Sequence, residues 1–142
     1  MTSEAETAAP RAFLSILEVM PEQPRARLLR LRALIHAAGR ATDTGPLTET
    51  LKWGQMAFLP ARRAGTTLRL SWSQATPDVC RLLVHCQTTL VDRFRDRFPD
   101  GFAYEGNRAV CLPVAGPMPE AAFPQMAAMA LTYHRDKAAA RP

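Results

Sequence analysis

The chain has 142 residues, 47% of them hydrophobic, which predicts a single domain able to bury its own core. No stretch approaches the roughly 18 consecutive apolar residues of a membrane-spanning helix, so we expect no membrane association. The three cysteines have no disulfide-framework spacing, and we expect free thiols in a cytoplasmic protein. The net charge of +5 comes mainly from arginines dispersed along the chain, which disfavours a nucleic-acid partner.

The composition also predicts how the domain is bounded. Residues 1–10 are polar, acidic and small, and they lack the apolar segment of a secretory signal, so a disordered leader is expected there. A single α+β domain is expected over residues 11–137. A frayed tail is expected over residues 138–142, after the last apolar stripe.

Two helices are predicted at the start of the domain. The first spans Ala12 to Met20, where apolar residues recur at helical spacing, and it ends at Pro21. The second begins at Pro24, because proline is favoured at the first helical position. Gly39 follows this helix, where a left-handed residue is expected. The apolar stripe of the second helix consists of Leu28, Leu31, Leu34, Ile35 and Ala38.

The middle of the chain predicts most of the strands. Residues 47–53 are expected to form a short helical turn capped by Thr48, leading into a strand over residues 55–59. Residues 66–72 alternate between apolar and polar side chains, which indicates a half-buried strand. Residues 79–87 form a longer strand, and we place it at the centre of the sheet because neither of its faces is entirely polar.

The last part of the chain predicts a helix, a hairpin and a final helix. Thr88 or Thr89 caps the helix, which has an apolar stripe facing the core. Residues 102–105 and 108–114 are expected to pair as a hairpin around the turn-forming Gly106-Asn107. Because the loops between neighbouring strands are too short for crossovers, the strands must pair antiparallel. We therefore predict an α+β fold with a mostly antiparallel sheet of about five strands packed against helices.

Three short polar clusters lie at the edges of the predicted strands, over residues 51–55, 85–89 and 105–108. Side chains at strand ends share one rim of a sheet, so these segments are where we expect a site. Eight candidate ligand-binding residues follow from this placement: Lys52, Trp53, Gln55, Arg69, His85, Tyr104, Asn107 and Arg108.

The candidate residues combine aromatic and cationic groups. We expect an amphipathic cavity lined by Trp53, Arg69, His85, Tyr104 and Arg108. Two interpretations of Arg108 stay open. It pairs with Glu105 across the turn, or it offers its forked guanidinium to a carboxylate or phosphate.

Metal binding and nucleophilic catalysis have weaker support in the sequence. Cys80 and Cys86 point the same way on one predicted strand but lie about 20 Å apart. His85 and Cys86 are adjacent, so a strand turns them to opposite faces. No metal ligand and no catalytic residue is therefore assigned, and whether the chain catalyses a reaction stays open.

Four segments occur together in a fixed order. They are Leu51-Lys52-Trp53-Gly54-Gln55, Gly65-Thr66-Thr67-Leu68-Arg69-Leu70, His85-Cys86-Gln87-Thr88-Thr89-Leu90-Val91 and Tyr104-Glu105-Gly106-Asn107-Arg108-Ala109. In combination they resemble the YdhG-like family, domain of unknown function 1801, over roughly Ala26 to Lys137. The resemblance implies a small α+β domain with a helix-backed sheet. One branch of that family is described as a frataxin-like intracellular iron chaperone, which implies metal handling as an alternative function.

The preferred functional hypothesis is binding of an anionic small molecule or a protein partner at the rim of the sheet. Metal handling and nucleic-acid binding are the alternatives. Self-association into a twofold homodimer is also open, and the sequence identifies no cofactor.

Overall fold

The structure, a computed structural model, describes residues 8–140. Most of the predicted leader, residues 1–7, and the last two residues of the predicted tail lie outside the described residues. The described helices are α1 (Arg11–Leu17), α2 (Glu22–Ala41), α3 (Leu90–Arg97), α4 (Ala122–Leu131) and α5 (Tyr133–Ala139). The strands are β1 (Thr48–Lys52), β2 (Gln55–Leu59), β3 (Leu68–Trp72), β4 (Val79–Leu83), β5 (Ala103–Glu105) and β6 (Ala109–Pro113).

The strands form one sheet in the order β1-β2-β3-β4-β6-β5, and every neighbouring pair is antiparallel. The predicted α+β fold with an antiparallel sheet is confirmed, with six strands where about five were expected. Within the described part of the chain, no helix is long and apolar enough to cross a membrane.

The additional strand is β1, where the sequence predicted a helical turn over residues 47–53. That prediction is wrong, because Thr48–Lys52 pairs residue by residue with Gln55–Leu59. The two-residue loop between them, Trp53-Gly54, has positive φ at both positions, and this geometry matches the twist of a tight hairpin. The hairpin partner, rather than local helical spacing, therefore decides the conformation of this segment.

Helix α2 is longer than predicted at both ends. It starts at Glu22, so Pro24 lies within the first turn, where its missing N–H costs no hydrogen bond. It also continues through Gly39, which is therefore not the residue that ends the helix. Gly39 instead allows close packing, because a Cβ there would lie 3.2 Å from the Leu47 side chain.

Strand β4 is shorter than the predicted strand over residues 79–87. It ends at Leu83, although the Val84 N–H still bonds the Arg108 carbonyl at 2.8 Å. His85 and Cys86 then enter a turn that leads to α3. This early end matters for the site, because the two side chains no longer follow the alternation of a strand.

The two faces of the sheet differ in their burial. Leu70, Leu82 and Val110 lie side by side on neighbouring strands and are fully buried in the core shared with the helices. Alternate residues such as Arg69 and Leu83 lie on the other face and are only partly buried. The helices therefore cover one face, and the other face stays open at the rim where the polar clusters meet.

Candidate functional site

The first element of the site is the hairpin turn between β1 and β2. Trp53 takes a left-handed backbone conformation, with φ of 56°, and Gly54 follows with φ of 72°. This turn lifts the indole off the sheet, so that Trp53 is 88% exposed. The indole is therefore an exposed apolar group at the tip of the hairpin.

Arg69 supplies the second element, from the open face of β3. Its Nη1 donates a hydrogen bond to Gln55 Oε1 at 2.9 Å, across the pair of strands β2 and β3. Partial burial and the nearby positive charge of Arg108 lower the pKa of Arg69. An arginine side chain stays charged at neutral pH, so Arg69 and Arg108 place two cations at this rim.

The turn after β4 brings in the third element. His85 is exposed, and its Nδ1 accepts a hydrogen bond from the Gln87 N–H at 3.1 Å. Asn107, from the turn between β5 and β6, donates from Nδ2 to the Cys86 carbonyl at 2.7 Å. The first bond lies within the turn after β4, and the second joins this turn to the turn that precedes Arg108.

Trp53, Arg69, His85 and Arg108 line one hollow of about 420 Å³, together with Val84 and Cys86; we call it the rim hollow. A smaller hollow of about 170 Å³ adjoins it and shares three of these side chains. The adjoining hollow is lined by Lys52, Trp53, Thr66, Thr67, Arg69 and His85. No acidic side chain of the described residues lines either hollow.

The other predicted residues fall into supporting positions or lie elsewhere. Gln55 and Asn107 hold Arg69 and the Cys86 loop, as described above, and do not line the rim hollow. Tyr104 lies on the opposite face of the sheet, because it pairs with the buried Val110. Its hydroxyl donates to the carbonyls of Phe98 and Phe94, at 2.7 and 3.1 Å. Tyr104 therefore anchors α3 and takes no place beside the other candidate side chains.

Sequence reasoning omitted four residues that line the two hollows. Thr67 precedes Arg69 by two residues, so the alternation of β3 could have identified it. Cys86 lies in the polar cluster over residues 85–89 but was not among the eight candidates, and Thr66 and Val84 gave no signal of this kind. Cys86 borders the hollow from the turn that follows β4, and this turn depends on tertiary packing rather than on local spacing.

Glu105 lies three residues before Arg108 in the chain, but its carboxylate does not neutralise the positive charge of the rim hollow. Glu105 accepts two hydrogen bonds from Arg81, at 2.8 and 3.0 Å, across the open face. The bonds from Arg81 lower the pKa of Glu105. The expected alternative, an ion pair between Glu105 and Arg108, is therefore wrong. The Arg108 guanidinium remains available to the rim hollow.

A larger groove of about 660 Å³ lies between α2 and the loop after β6. Its charges are balanced by carboxylates: Arg30 pairs with Glu120 at 2.6 Å. Arg27, which donates to the Gly116 carbonyl at 2.6 Å, lines the groove together with Glu22. The rim hollow is smaller, but cationic side chains line it without an acidic one.

Metal-ligating groups do not cluster in the described part of the chain. No three His, Cys, Asp or Glu side chains of residues 8–140 come together as a ligand set. Cys80 is fully buried, and burial raises the pKa of its thiol to about 11, which keeps it protonated and unreactive. Cys86 is the thiol that borders the rim hollow.

Comparisons with known proteins add no relative: no family model, no curated protein and no solved structure matches this chain. The resemblance to the YdhG-like family accordingly stays a prediction.

Proposed function

We propose that the rim hollow binds a small anion that carries a planar ring. The proposal rests on one observation: Arg69 and Arg108 both line the rim hollow, and no carboxylate of the described residues lines it. Guanidinium groups form two parallel hydrogen bonds to a carboxylate or phosphate, so they recognise the shape of the anion as well as its charge.

The exposed indole of Trp53 accounts for the ring. It lines both hollows, on the same side as the two arginines. An aromatic ring stacked on it would cover apolar surface that now faces water, and offset stacking adds about 0.5–1.5 kcal/mol beyond this burial. The volume of about 420 Å³ suits a small molecule, since ligand pockets generally span roughly 300–1,000 Å³.

A protein partner would use the same donors if it inserted an acidic side chain next to an aromatic one. Small-molecule binding therefore tests the chemistry common to both forms of the hypothesis. Metal handling and nucleic-acid binding stay predictions, and no contact among the described residues favours either of them.

Titration calorimetry with 2-naphthoate tests the proposal, with 2-naphthamide and acetate as matched probes. We expect naphthoate to bind, and the neutral amide and the ringless acid each to bind at least about tenfold more weakly, equivalent to ~1.4 kcal/mol. Trp53→Ala and Arg108→Ala should each cause a loss of similar size.

Two variants serve as controls. Tyr104→Phe alters a residue on the opposite face, and Arg11→Ala removes one positive charge from exposed α1. Both should keep the wild-type affinity for naphthoate. Absence of naphthoate binding to the wild type, or unchanged affinity in Arg108→Ala, would reject the proposal.

A further inference from the structure

A further hollow, of about 410 Å³, lies near the end of α2 and the start of α5, and it shares no lining residue with the rim hollow. We call it the basic hollow. Its lining residues are Asp43, Arg62, Arg63, Ala64, His134 and Arg135. Three guanidiniums and one imidazole thus surround a space to which the described residues contribute a single carboxylate.

The guanidiniums of Arg62 and Arg135 are held by neutral partners. Arg62 Nη2 donates to the Asp43 carbonyl at 3.0 Å, and Arg135 Nη1 donates to the Thr42 carbonyl at 2.6 Å. Bonds to backbone carbonyls orient a guanidinium without cancelling its charge. Each side chain also has donors left over, because a guanidinium carries five N–H groups.

The carboxylates near the basic hollow are exposed and loosely paired. Asp43 Oδ2 lies 3.8 Å from Arg62, and the Asp43 side chain is 93% exposed. Asp136 Oδ1 lies 3.9 Å from Arg135 Nε, and Asp136 also accepts a hydrogen bond from Thr132 at 2.7 Å. Exposed ion pairs of this kind contribute only ~0–1 kcal/mol. Three guanidiniums against these two carboxylates leave the hollow with a net positive charge.

The backbone that presents the arginines is strained. Arg62 and Arg63 both have left-handed conformations, with φ of 58° and 53°, which residues other than glycine rarely adopt. The segment is fixed from both sides, since the Ala61 N–H bonds the Thr44 carbonyl and the Arg135 N–H bonds the Ala64 carbonyl. Strained residues that are held in this way concentrate at functional sites.

We propose that the basic hollow binds the terminal phosphate or pyrophosphate group of a small phosphorylated molecule. Such a group is compact and multiply charged, and its several oxygens can accept hydrogen bonds from more than one of the arginines that line the hollow, Arg62, Arg63 and Arg135. The phosphodiester backbone of a nucleic acid carries one charge per group. It would instead need a long basic track, whereas this hollow is local.

Calorimetric titration with inorganic pyrophosphate, at ionic strength matched with sodium chloride, tests the proposal. The decisive variant is Arg63→Gly, because glycine accepts positive φ and the variant should fold at least as well as the wild type. We expect its melting temperature to be equal or higher, while its affinity for pyrophosphate falls at least about tenfold, or ~1.4 kcal/mol. Arg63→Lys should retain intermediate affinity.

A matched control separates this hollow from general charge. Arg11→Ala removes one positive charge from exposed α1 and should leave the Arg63-dependent pyrophosphate site intact. Failure of wild-type protein to bind pyrophosphate, or equal losses in Arg63→Gly and Arg11→Ala, would overturn the proposal. So would Arg63-dependent binding of an oligonucleotide without a terminal phosphate that is tighter than that of pyrophosphate.

Discussion

Arg32 donates two parallel hydrogen bonds to Glu49, from Nε to Oε2 at 2.5 Å and from Nη2 to Oε1 at 2.8 Å. The pair joins α2 to the edge strand β1, and the two side chains are only 3% and 11% exposed. His36, one turn further along α2, places Nε2 3.1 Å from the same carboxylate, although its N–H is not aligned for a hydrogen bond. This ion pair therefore fixes the strand whose turn carries Trp53.

Removing one partner of this pair should destabilise the protein strongly. Arg32→Met leaves the Glu49 carboxylate buried without its guanidinium, so we expect the free energy of unfolding to fall by about 3–5 kcal/mol. The double variant Arg32→Met/Glu49→Leu should recover much of this loss, because no buried charge remains. Urea unfolding of both variants measures the effect, and equal losses in the single and the double variant would contradict it.

The same carboxylate predicts a pH dependence of stability. Burial alone would raise the pKa of Glu49, but the hydrogen bonds and charge of Arg32, together with the nearby His36 ring, outweigh it, so the pKa lies below the ordinary value of 4.5. The folded state thus keeps Glu49 ionised to lower pH than the unfolded state does. Its contribution is complete above about pH 4.5 and is lost as the pH falls through the folded-state pKa.

Urea unfolding between neutral pH and about pH 3 checks this dependence. Wild-type protein should lose more stability on acidification than Glu49→Gln does. Glu105→Gln is the matched control, because Glu105 also has a lowered pKa but its side chain is 49% exposed. The prediction fails if wild-type protein and Glu49→Gln lose the same unfolding free energy between neutral pH and about pH 3.

Gly65 is predicted to tolerate no side chain. A Cβ at this position would overlap the carbonyl groups of Ala130 and Leu131 at the end of α4, which are backbone atoms that cannot rotate away. Gly65→Ala should therefore cost about 3 kcal/mol or more in unfolding free energy. Gly45→Ala is the control, since its nearest contact would be an ordinary 3.6 Å; a similar loss in both variants would contradict the steric explanation.

Variants of Asn107 and Tyr104 should have similar effects on stability but different effects on naphthoate binding. Each side chain donates to backbone carbonyls, so Asn107→Ala and Tyr104→Phe should each destabilise the fold by roughly 1 kcal/mol. Only Asn107 holds the Cys86 loop beside the rim hollow. We expect weaker naphthoate binding in Asn107→Ala alone, measured by calorimetry; an affinity loss in Tyr104→Phe would place the ligand elsewhere.

Local patterns in the sequence were sufficient for the elements whose conformation depends on their own residues. The apolar stripe of α2 and the alternation of β3 both predict the observed structure, because burial of one face is encoded at a fixed spacing. The strand β1 was missed for the opposite reason. It is a short edge strand, and its conformation is fixed by pairing with β2 and by the buried contact of Glu49 with Arg32.

The sequence by itself determined the fold class and the chemical types at the rim, an indole, an imidazole and guanidiniums at strand ends. Only the tertiary structure decided which of them meet. Strand pairing aligns Arg69 with Leu83 and Leu83 with Ala109, the residue that follows Arg108. Pairing of Tyr104 with the buried Val110 places Tyr104 on the face that the helices cover. The pairing of Glu105 with Arg81, which leaves Arg108 uncompensated, also depends on strands that are distant in the chain. The spacing of residues along the sequence shows which side chains share a face of one helix or strand. Whether a charged side chain has an oppositely charged partner depends on contacts between different helices and strands.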